Sequence, residues 1–110
     1  MKEVTIKSKA KIIKGEQYAI EIVLKADGVV ITPENADDVK IKIDDDEKSY
    51  SSGELIFSEG RWLFPITQSA SLRMSLSGVK AQAQYKTGGN VFSTETYTVD
   101  VSDSIIRSKF

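Results

Sequence analysis

The sequence has 110 residues, enough for one domain with its own core, and it contains no histidine and no cysteine. The absence of cysteine and histidine excludes disulfides, thiolate chemistry and the side chains that most often bind transition metals. Fifteen basic and sixteen acidic residues give a net charge of -1, so the broad basic surface that nucleic-acid binding requires is absent.

The apolar runs and the N-terminus bear on membranes and export. No apolar run approaches the roughly 20 residues that span a bilayer, and the N-terminus is charged throughout, without the apolar region of a signal peptide. We therefore expect a protein that is made in the cytoplasm and is not inserted into a membrane.

The first half of the chain alternates between apolar and polar side chains, which is the period of a β-strand. Over residues 4–12, the even-numbered positions are mostly apolar and the odd-numbered positions are mostly lysine, so the two kinds of side chain lie on opposite faces of the strand. A second strand over 18–25 ends at the tight-turn pair Asp27-Gly28, and a third strand covers 39–43.

The next strand carries the one tryptophan of the chain. Trp62, Phe64 and Ile66 share one face, which predicts that Trp62 anchors the core and does not form an exposed platform for sugars or bases. Pro65 lies inside this strand. Because proline cannot donate to a sheet ladder, we expect this strand to lie at a sheet edge or to carry a bulge.

The segment 68–76 is the one plausible helical turn. Ser69 or Ser71 could cap its N-terminus, and Leu72 and Leu76 are four residues apart on one face. It is too short to be more than a connector.

The last predicted element is a hairpin. Its strands cover 79–85 and 91–101, and the turn residues at 87–90 join them. Tyr97 and Val99 are predicted to face inward.

Seven to eight antiparallel strands without a long helix predict an all-β, immunoglobulin-like β-sandwich, with a partly open barrel as the alternative. We expect a single domain over 1–110, in which 1–9 is a possible N-terminal arm and 103–110 is a C-terminal tail.

The densest charge is a run of four acids that interrupts the third strand, Asp44, Asp45, Asp46 and Glu47. Clustered carboxylates can hold Ca²⁺, but the spacing is not that of an EF-hand loop. The run is thus a weak candidate for a cation cluster, against the alternative of a solvated hairpin tip.

Catalytic residues are not expected either. Two acids at a turn do not face each other across a cleft, and no histidine is present to activate a serine. We expect no catalytic residues, no cofactor and no enzyme.

The N-terminal strand presents a row of lysines, Lys7, Lys9 and Lys11. Lysines on an edge strand prevent unwanted strand addition. Alternatively, a basic arm could dock on the acidic hairpin of another subunit.

The C-terminal tail carries apolar residues without a predicted partner, Ile105, Ile106 and Phe110. Such residues either fold back on the domain or bind another protein. Both readings are open at this point.

Five segments between residues 14 and 101, within a resemblance that covers roughly 10–107, follow one another in a characteristic order: KGEQYAIEIVLKADG, ITPENADDVKIKI, GRWLFPI, TQSASLRMSLSG and VKAQAQYKTGGNVFSTETYTVDV. In this order the chain resembles small Firmicute prophage proteins and the immunoglobulin-like N-terminal modules of phage baseplate and tail proteins. The resemblance implies a non-enzymatic structural or assembly protein, made in the host cytoplasm and carried in the tail or baseplate of the virion. Its partners would be other virion proteins or further copies of itself, reached through sheet edges, the basic arm and the tail. The alternative function is a β-sandwich module that binds carbohydrate or another surface ligand with the loops at one end.

Overall fold

Twelve β-strand segments and one short helix make up the described part of the chain, which in this computed structural model is residues 4–8, 12–13 and 17–102. The segments are β1 (Val4–Ser8), β2 (Ile12–Ile13), β3 (Tyr18–Ala26), β4 (Val29–Val30), β5 (Asp38–Ile43), β6 (Asp46–Ser49), β7 (Ile56–Ser58), β8 (Arg61–Ile66), α1 (Gln68–Arg73), β9 (Val79–Thr87), β10 (Asn90–Ser93), β11 (Tyr97–Val99) and β12 (Val101–Ser102).

The strands form two antiparallel sheets. The first sheet has the order β1-β3-β8-β7 with β4 added to β3, and the second has the order β10-β9-β5-β6 with β11 added to β9. Taken in chain order, these are the ABED and GFC arrangements of an immunoglobulin-type sandwich, with β6 in the place of an added C′ strand. The predicted all-β sandwich with one short helical turn is confirmed.

The two sheets share one hydrophobic core. Side chains of alternating parity point inward from both sheets and form a single cluster, which includes Ile20, Ile22, Leu24, Trp62, Phe64 and Ile66 from the first sheet and Val39, Ile41, Ile43, Val79, Ala81, Ala83, Tyr85 and Val99 from the second. Burying one large aliphatic side chain contributes about 1.5–3 kcal/mol before conformational entropy is subtracted. The alternation in the sequence therefore decides which face of each sheet is inside.

Trp62 lies at the centre of this core, as predicted. Its ring is fully buried, 5.3 Å from the ring of Tyr50 and 4.9 Å from that of Phe57 between centroids. The indole Nε1 donates a hydrogen bond of 2.9 Å to the carbonyl oxygen of Ile31, at the start of the loop that leads to β5. Trp62 thus connects this loop to the core.

The first predicted strand, over 4–12, divides between two partners. β1 pairs with β3 in the first sheet, whereas β2 pairs in parallel with β12. The amide of Ile12 donates to the carbonyl of Asp100 over 3.0 Å, and Ile12 is buried in the core. This parallel pair was not predicted, since alternation alone does not identify the partner of a strand.

A single return strand over 91–101 is the wrong description. Ser93 lies opposite Gln84 and Tyr97 lies opposite Ala81, so four steps along this strand match three along β9. The extra residue forms a β-bulge. Before the bulge, even-numbered residues such as Phe92 point into the core, and after it, odd-numbered residues such as Tyr97 do so. The predicted inward positions of Tyr97 and Val99 hold because they lie after the bulge.

Thr94 satisfies the polar groups of this bulge. Its amide donates to the Ala83 carbonyl over 2.9 Å, and its buried hydroxyl accepts from the Ala83 amide over 3.0 Å. The hydroxyl also donates to the Glu95 carbonyl over 2.9 Å. A side-chain oxygen thus replaces a ladder acceptor that the bulge removes.

Replacing Thr94 with valine keeps the shape of the side chain and removes its hydroxyl. We expect the free energy of unfolding to fall by about 1–3 kcal/mol, because the buried Ala83 amide loses its acceptor. Urea unfolding of the wild type, Thr94→Val and Thr94→Ser measures this. Thr94→Ser should stay much closer to the wild type, and equal losses for the two variants would contradict the role of the hydroxyl.

The helix α1 lies inside the predicted segment, but its cap is a different residue. Thr67 has extended backbone angles and its hydroxyl accepts from the Ala70 amide over 3.1 Å, whereas Ser69 and Ser71 lie within the helix. Leu76 lies beyond the helix and is 53% exposed, and Met74 is buried instead. Among the described residues, no helical segment meets the length and hydropathy that a membrane-spanning helix needs.

The prediction that the strand of Pro65 lies at a sheet edge or carries a bulge is wrong. β8 lies between β3 and β7, but β7 pairs only with Arg61–Leu63. The register between β3 and β8 runs without interruption from Ile66 to Trp62, so no bulge forms against β3. Because β7 ends before Pro65, no amide is needed there.

Candidate functional site

The acidic run forms the tip of the hairpin between β5 and β6. Asp44 and Asp45 are its two turn residues, and Asp44 adopts φ 60°, a conformation that aspartate tolerates better than most residues. The Asp44 amide donates to the Lys80 carbonyl over 2.8 Å. We refer to residues 44–47 as the acidic hairpin.

The acids of this hairpin are divided among different neighbours. A carboxylate oxygen of Asp46 lies 3.2 Å from the Lys48 ammonium, and Glu47 lies opposite Lys42 on the neighbouring strand. Across the described ranges, no group of three or more acidic side chains is placed to hold a metal ion. The structure therefore does not bring the four acids together as a cation cluster, and the tip carries exposed charge at Asp44 and Asp45.

The other predicted contact residues lie mostly outside the described ranges. The backbone of Lys7 belongs to β1, opposite Val23 of β3. Lys9, Lys11 and the tail residues Ile105, Ile106 and Phe110 are outside the described residues, so the basic arm and the tail stay predictions.

The outer face of the second sheet carries four lysines in cross-strand rows. Lys40 lies opposite Gln84 and Lys42 opposite Gln82, between β5 and β9. Lys80 and Lys86 continue the face along β9, and all four lysines are exposed. We call this surface the lysine face.

A shallow groove of about 120 Å³ lies at one end of the lysine face. It is lined by Asp38, Lys40, Gln84, Tyr85, Lys86 and Val91. Within the described part of the chain, no carboxylate oxygen lies within 4.0 Å of the ammonium of Lys40 or Lys86. Val91 is 60% exposed. The Lys40–Lys86 groove thus offers two cations beside an apolar wall.

The one carboxylate of the groove already has hydrogen-bond donors. Asp38 accepts from the Ser51 amide over 2.9 Å, from the Ser51 hydroxyl over 2.8 Å and from the Val39 amide over 2.9 Å. Partial burial by itself raises the pKa of Asp38, but the bonds from Ser51 and Val39, with the charge of Lys40, outweigh it and leave the pKa below its usual value of 3.8. Asp38 therefore connects β5 to the turn after β6.

Asp38→Asn is expected to reduce the free energy of unfolding near neutral pH by less than about 1 kcal/mol, since the carboxylate is largely in contact with water. The lowered folded-state pKa means that the ionised group stabilises the fold above the unfolded-state pKa and loses this effect as the pH falls through the folded-state value. The difference between wild type and variant should accordingly be constant above about pH 5 and shrink below about pH 4. Urea unfolding across this range measures it, and a difference that grows on acidification would contradict the assignment.

The outer face of the first sheet carries an apolar strip. Ile56 lies opposite Leu63 and Pro65 lies opposite Ala19, and Ile56 is 57% exposed. An exposed ion pair of 2.8 Å between Glu21 and Arg61 borders the strip on the same sheet. The two sheets thus present different outer surfaces, one partly apolar and one rich in lysine.

Three of the sheet edges are poorly suited to adding a strand. On β6, the ammonium of Lys48 lies 5.4 Å from the centroid of the buried Phe64 ring, so this edge strand directs a charged side chain inward. β7 has three residues, and the bulge at Thr94 interrupts the edge formed by β10 and β11. Inward charges, short strands and bulges are the features that block edge-to-edge pairing. The faces of the sheets are therefore better contact surfaces than these edges.

Sequence reasoning missed the Lys40–Lys86 groove. The alternation placed its lysines on outer faces, but the groove depends on β5, β9 and β10 being neighbours in a particular register. The pairing of Asp38 with Lys86 follows from that register and has no signal in the local sequence.

Comparison with protein-family models, with curated proteins and with solved structures gives no match for this chain. Its place among the immunoglobulin-type sandwiches rests on the order of its strands and on its shared core.

Proposed function

We propose that this chain is a non-enzymatic structural or assembly protein of a phage tail, baseplate or related particle, and that it acts through protein–protein contacts. The observation that carries the proposal is the immunoglobulin-type order of the two sheets, which is the architecture of the phage modules that the sequence resembles. Fold similarity alone does not assign a function, so the surfaces and the polar groups must support it too.

The serines of the described loops have structural hydrogen bonds. Ser51 bonds to Asp38, the Ser49 hydroxyl donates to Ser52 over 2.8 Å, and the Ser52 hydroxyl lies 2.6 Å from a carboxylate oxygen of Glu54. These contacts hold the turn between β6 and β7. This use of the polar groups supports a role in which the chemistry is confined to folding and surface contact.

The proposal is tested with the proteins encoded next to this chain. We expect the purified chain to bind at least one adjacent tail or baseplate protein, or further copies of itself, in sedimentation velocity experiments. A variant that lacks residues 103–110 should bind more weakly if the tail contributes. A chain that stays monomeric at high concentration and binds none of the adjacent products would contradict the proposal.

The alternative is a module that binds carbohydrate with the loops at one end of the sandwich. It predicts chemical-shift changes that cluster on the loop between β4 and β5 and on the turn between β9 and β10 when glycans are added. The ring of Trp62 is buried in the core and cannot stack on a sugar without unfolding. No response to a broad set of glycans would remove this alternative.

A further inference from the structure

We propose that copies of this chain associate head to tail, with the acidic hairpin of one copy seated in the Lys40–Lys86 groove of the next. This inference deepens the proposed function, on which it rests, by naming one partner and the two surfaces that meet.

The groove is built to receive negative charge. Lys40 and Lys86 are exposed on neighbouring strands and have no ion pair within the described residues. The carboxylate of Asp38 accepts three hydrogen bonds from Ser51 and Val39, so it is not directed at either lysine as a close partner. Both ammonium groups can therefore bind the acids of another molecule.

The acidic hairpin fits the role of the ligand. Asp44 and Asp45 are exposed at a turn of only two residues, and neither has an ion pair within the described part of the chain. The hydrogen bond from the Asp44 amide to Lys80 and the strand pairing on both sides hold the turn in one position. Such a rigid tip loses little conformational entropy on binding.

The two surfaces cannot meet within one molecule. Asp38 and Lys86 lie at the end of the second sheet where β5 begins, whereas the acidic hairpin follows its other end. Along β5, Asp38 and the opposite Lys86 lie roughly 20 Å from Asp44, and Lys40 lies roughly 14 Å from it, at about 3.4 Å per residue. When each copy uses its hairpin on one neighbour and its groove on another, the contact is heterologous and joins successive copies into a row or a ring.

Salt should control the strength of this contact. Pairs of exposed charges contribute little each and are screened by ions, so the isolated chain should associate weakly and only at low salt. Inside a particle, neighbouring copies are held at a high effective concentration, which makes a weak contact sufficient.

Two charge-reversal variants test the proposal. The first, Asp44→Asn with Asp45→Lys, replaces the two exposed turn acids by one positive charge and keeps a residue at position 44 that tolerates the positive φ. The second, Lys40→Glu with Lys86→Glu, makes the groove negative. A control matched to the first variant, Glu34→Gln with Glu95→Lys, makes the same change in net charge at two other exposed acids. The fluorescence of the buried Trp62 and circular dichroism verify that each variant is folded.

Sedimentation measures association at about 0.01 M salt, where the Debye length is about 30 Å, and at about 1 M, where it is about 3 Å. We expect the wild type and the control to associate at low salt and to dissociate at high salt. Each reversal variant alone should associate at least about tenfold more weakly, because like charges then meet. An equimolar mixture of the two variants should recover association, since the positive turn of one fits the negative groove of the other.

Three results would overturn the inference: a wild type that stays monomeric at low salt, reversal variants that associate as the wild type does, or folded variants that do not recover on mixing. The proposed function has a separate readout. A chain that binds an adjacent tail protein but shows none of this self-association keeps the proposed function and loses the head-to-tail contact.

Discussion

Trp62→Ala is expected to lower the free energy of unfolding by about 3–5 kcal/mol, the usual range for truncating a buried large aromatic. The substitution removes the ring contacts with Tyr50 and Phe57 and leaves a cavity between the sheets. It also leaves the carbonyl of Ile31 without the indole donor. Because Trp62 is the only tryptophan of the chain, unfolding should be followed by circular dichroism and not by fluorescence.

Trp62→Phe separates the two contributions. It keeps an aromatic ring in the core and removes the Nε1 donor, so we expect part of the loss, about 1–3 kcal/mol from the unpaired carbonyl. A Trp62→Ala variant within about 1 kcal/mol of the wild type would show that this ring is not the anchor of the core.

Gly78→Ala is the second substitution with a large expected effect. Gly78 has φ +98°, and an added Cβ would lie 2.9 Å from the Thr98 methyl carbon and 3.2 Å from the Val99 carbonyl oxygen. The left-handed conformation costs about 1–2 kcal/mol and the crowding about 1–3 more, so the free energy of unfolding should fall by about 2–5 kcal/mol. Denaturant unfolding gives the value.

Two further variants locate the origin of this loss. Gly53→Ala meets the same kind of strain at φ +80° but has no atom within 4 Å, so it should cost only the conformational part. Adding Thr98→Ser to Gly78→Ala removes the crowded methyl group and keeps a hydroxyl for the bond from Lys80, so it should restore some stability. Equal losses for Gly53→Ala and Gly78→Ala would show that crowding plays no part.

Alternation of side chains made much of this fold predictable. The inward residues of β3, β5, β8 and β9 follow the odd–even pattern because, in a strand with one buried face, every second side chain points into the core and the others point to water. The Gly88-Gly89 turn was also predictable, since both residues adopt positive φ and glycine does so without steric cost.

The details that sequence reasoning missed depend on contacts between distant residues. The bulge at Thr94 is recognisable only once the registers on both sides of it are known. The cap of α1 is Thr67 because the helix begins at Gln68, so its hydroxyl accepts from the Ala70 amide, whereas the Ser71 hydroxyl donates to the Gln68 carbonyl inside the helix. The sequence offered Ser69 and Ser71 as caps, and both were wrong because the helix begins before them.

The candidate surfaces show the same division. The acidic hairpin was visible as four adjacent letters, and the structure adds that its acids point to different neighbours. The groove was invisible because Lys40 and Lys86 are 46 positions apart and become neighbours only through the pairing of β5 with β9.

The parallel pairing of β2 with β12 has a mechanical consequence. The chain enters β2 at one end of this parallel pair and leaves β12 at the other end. A pull on the chain before β2 and after β12 therefore loads the hydrogen bonds between them in shear and all at once. The bond between Ile12 and Asp100 and the burial of Ile12 and Val101 would resist such a pull together. Such a pair yields to a pull later than an antiparallel pair of the same length, whose bonds open one after another.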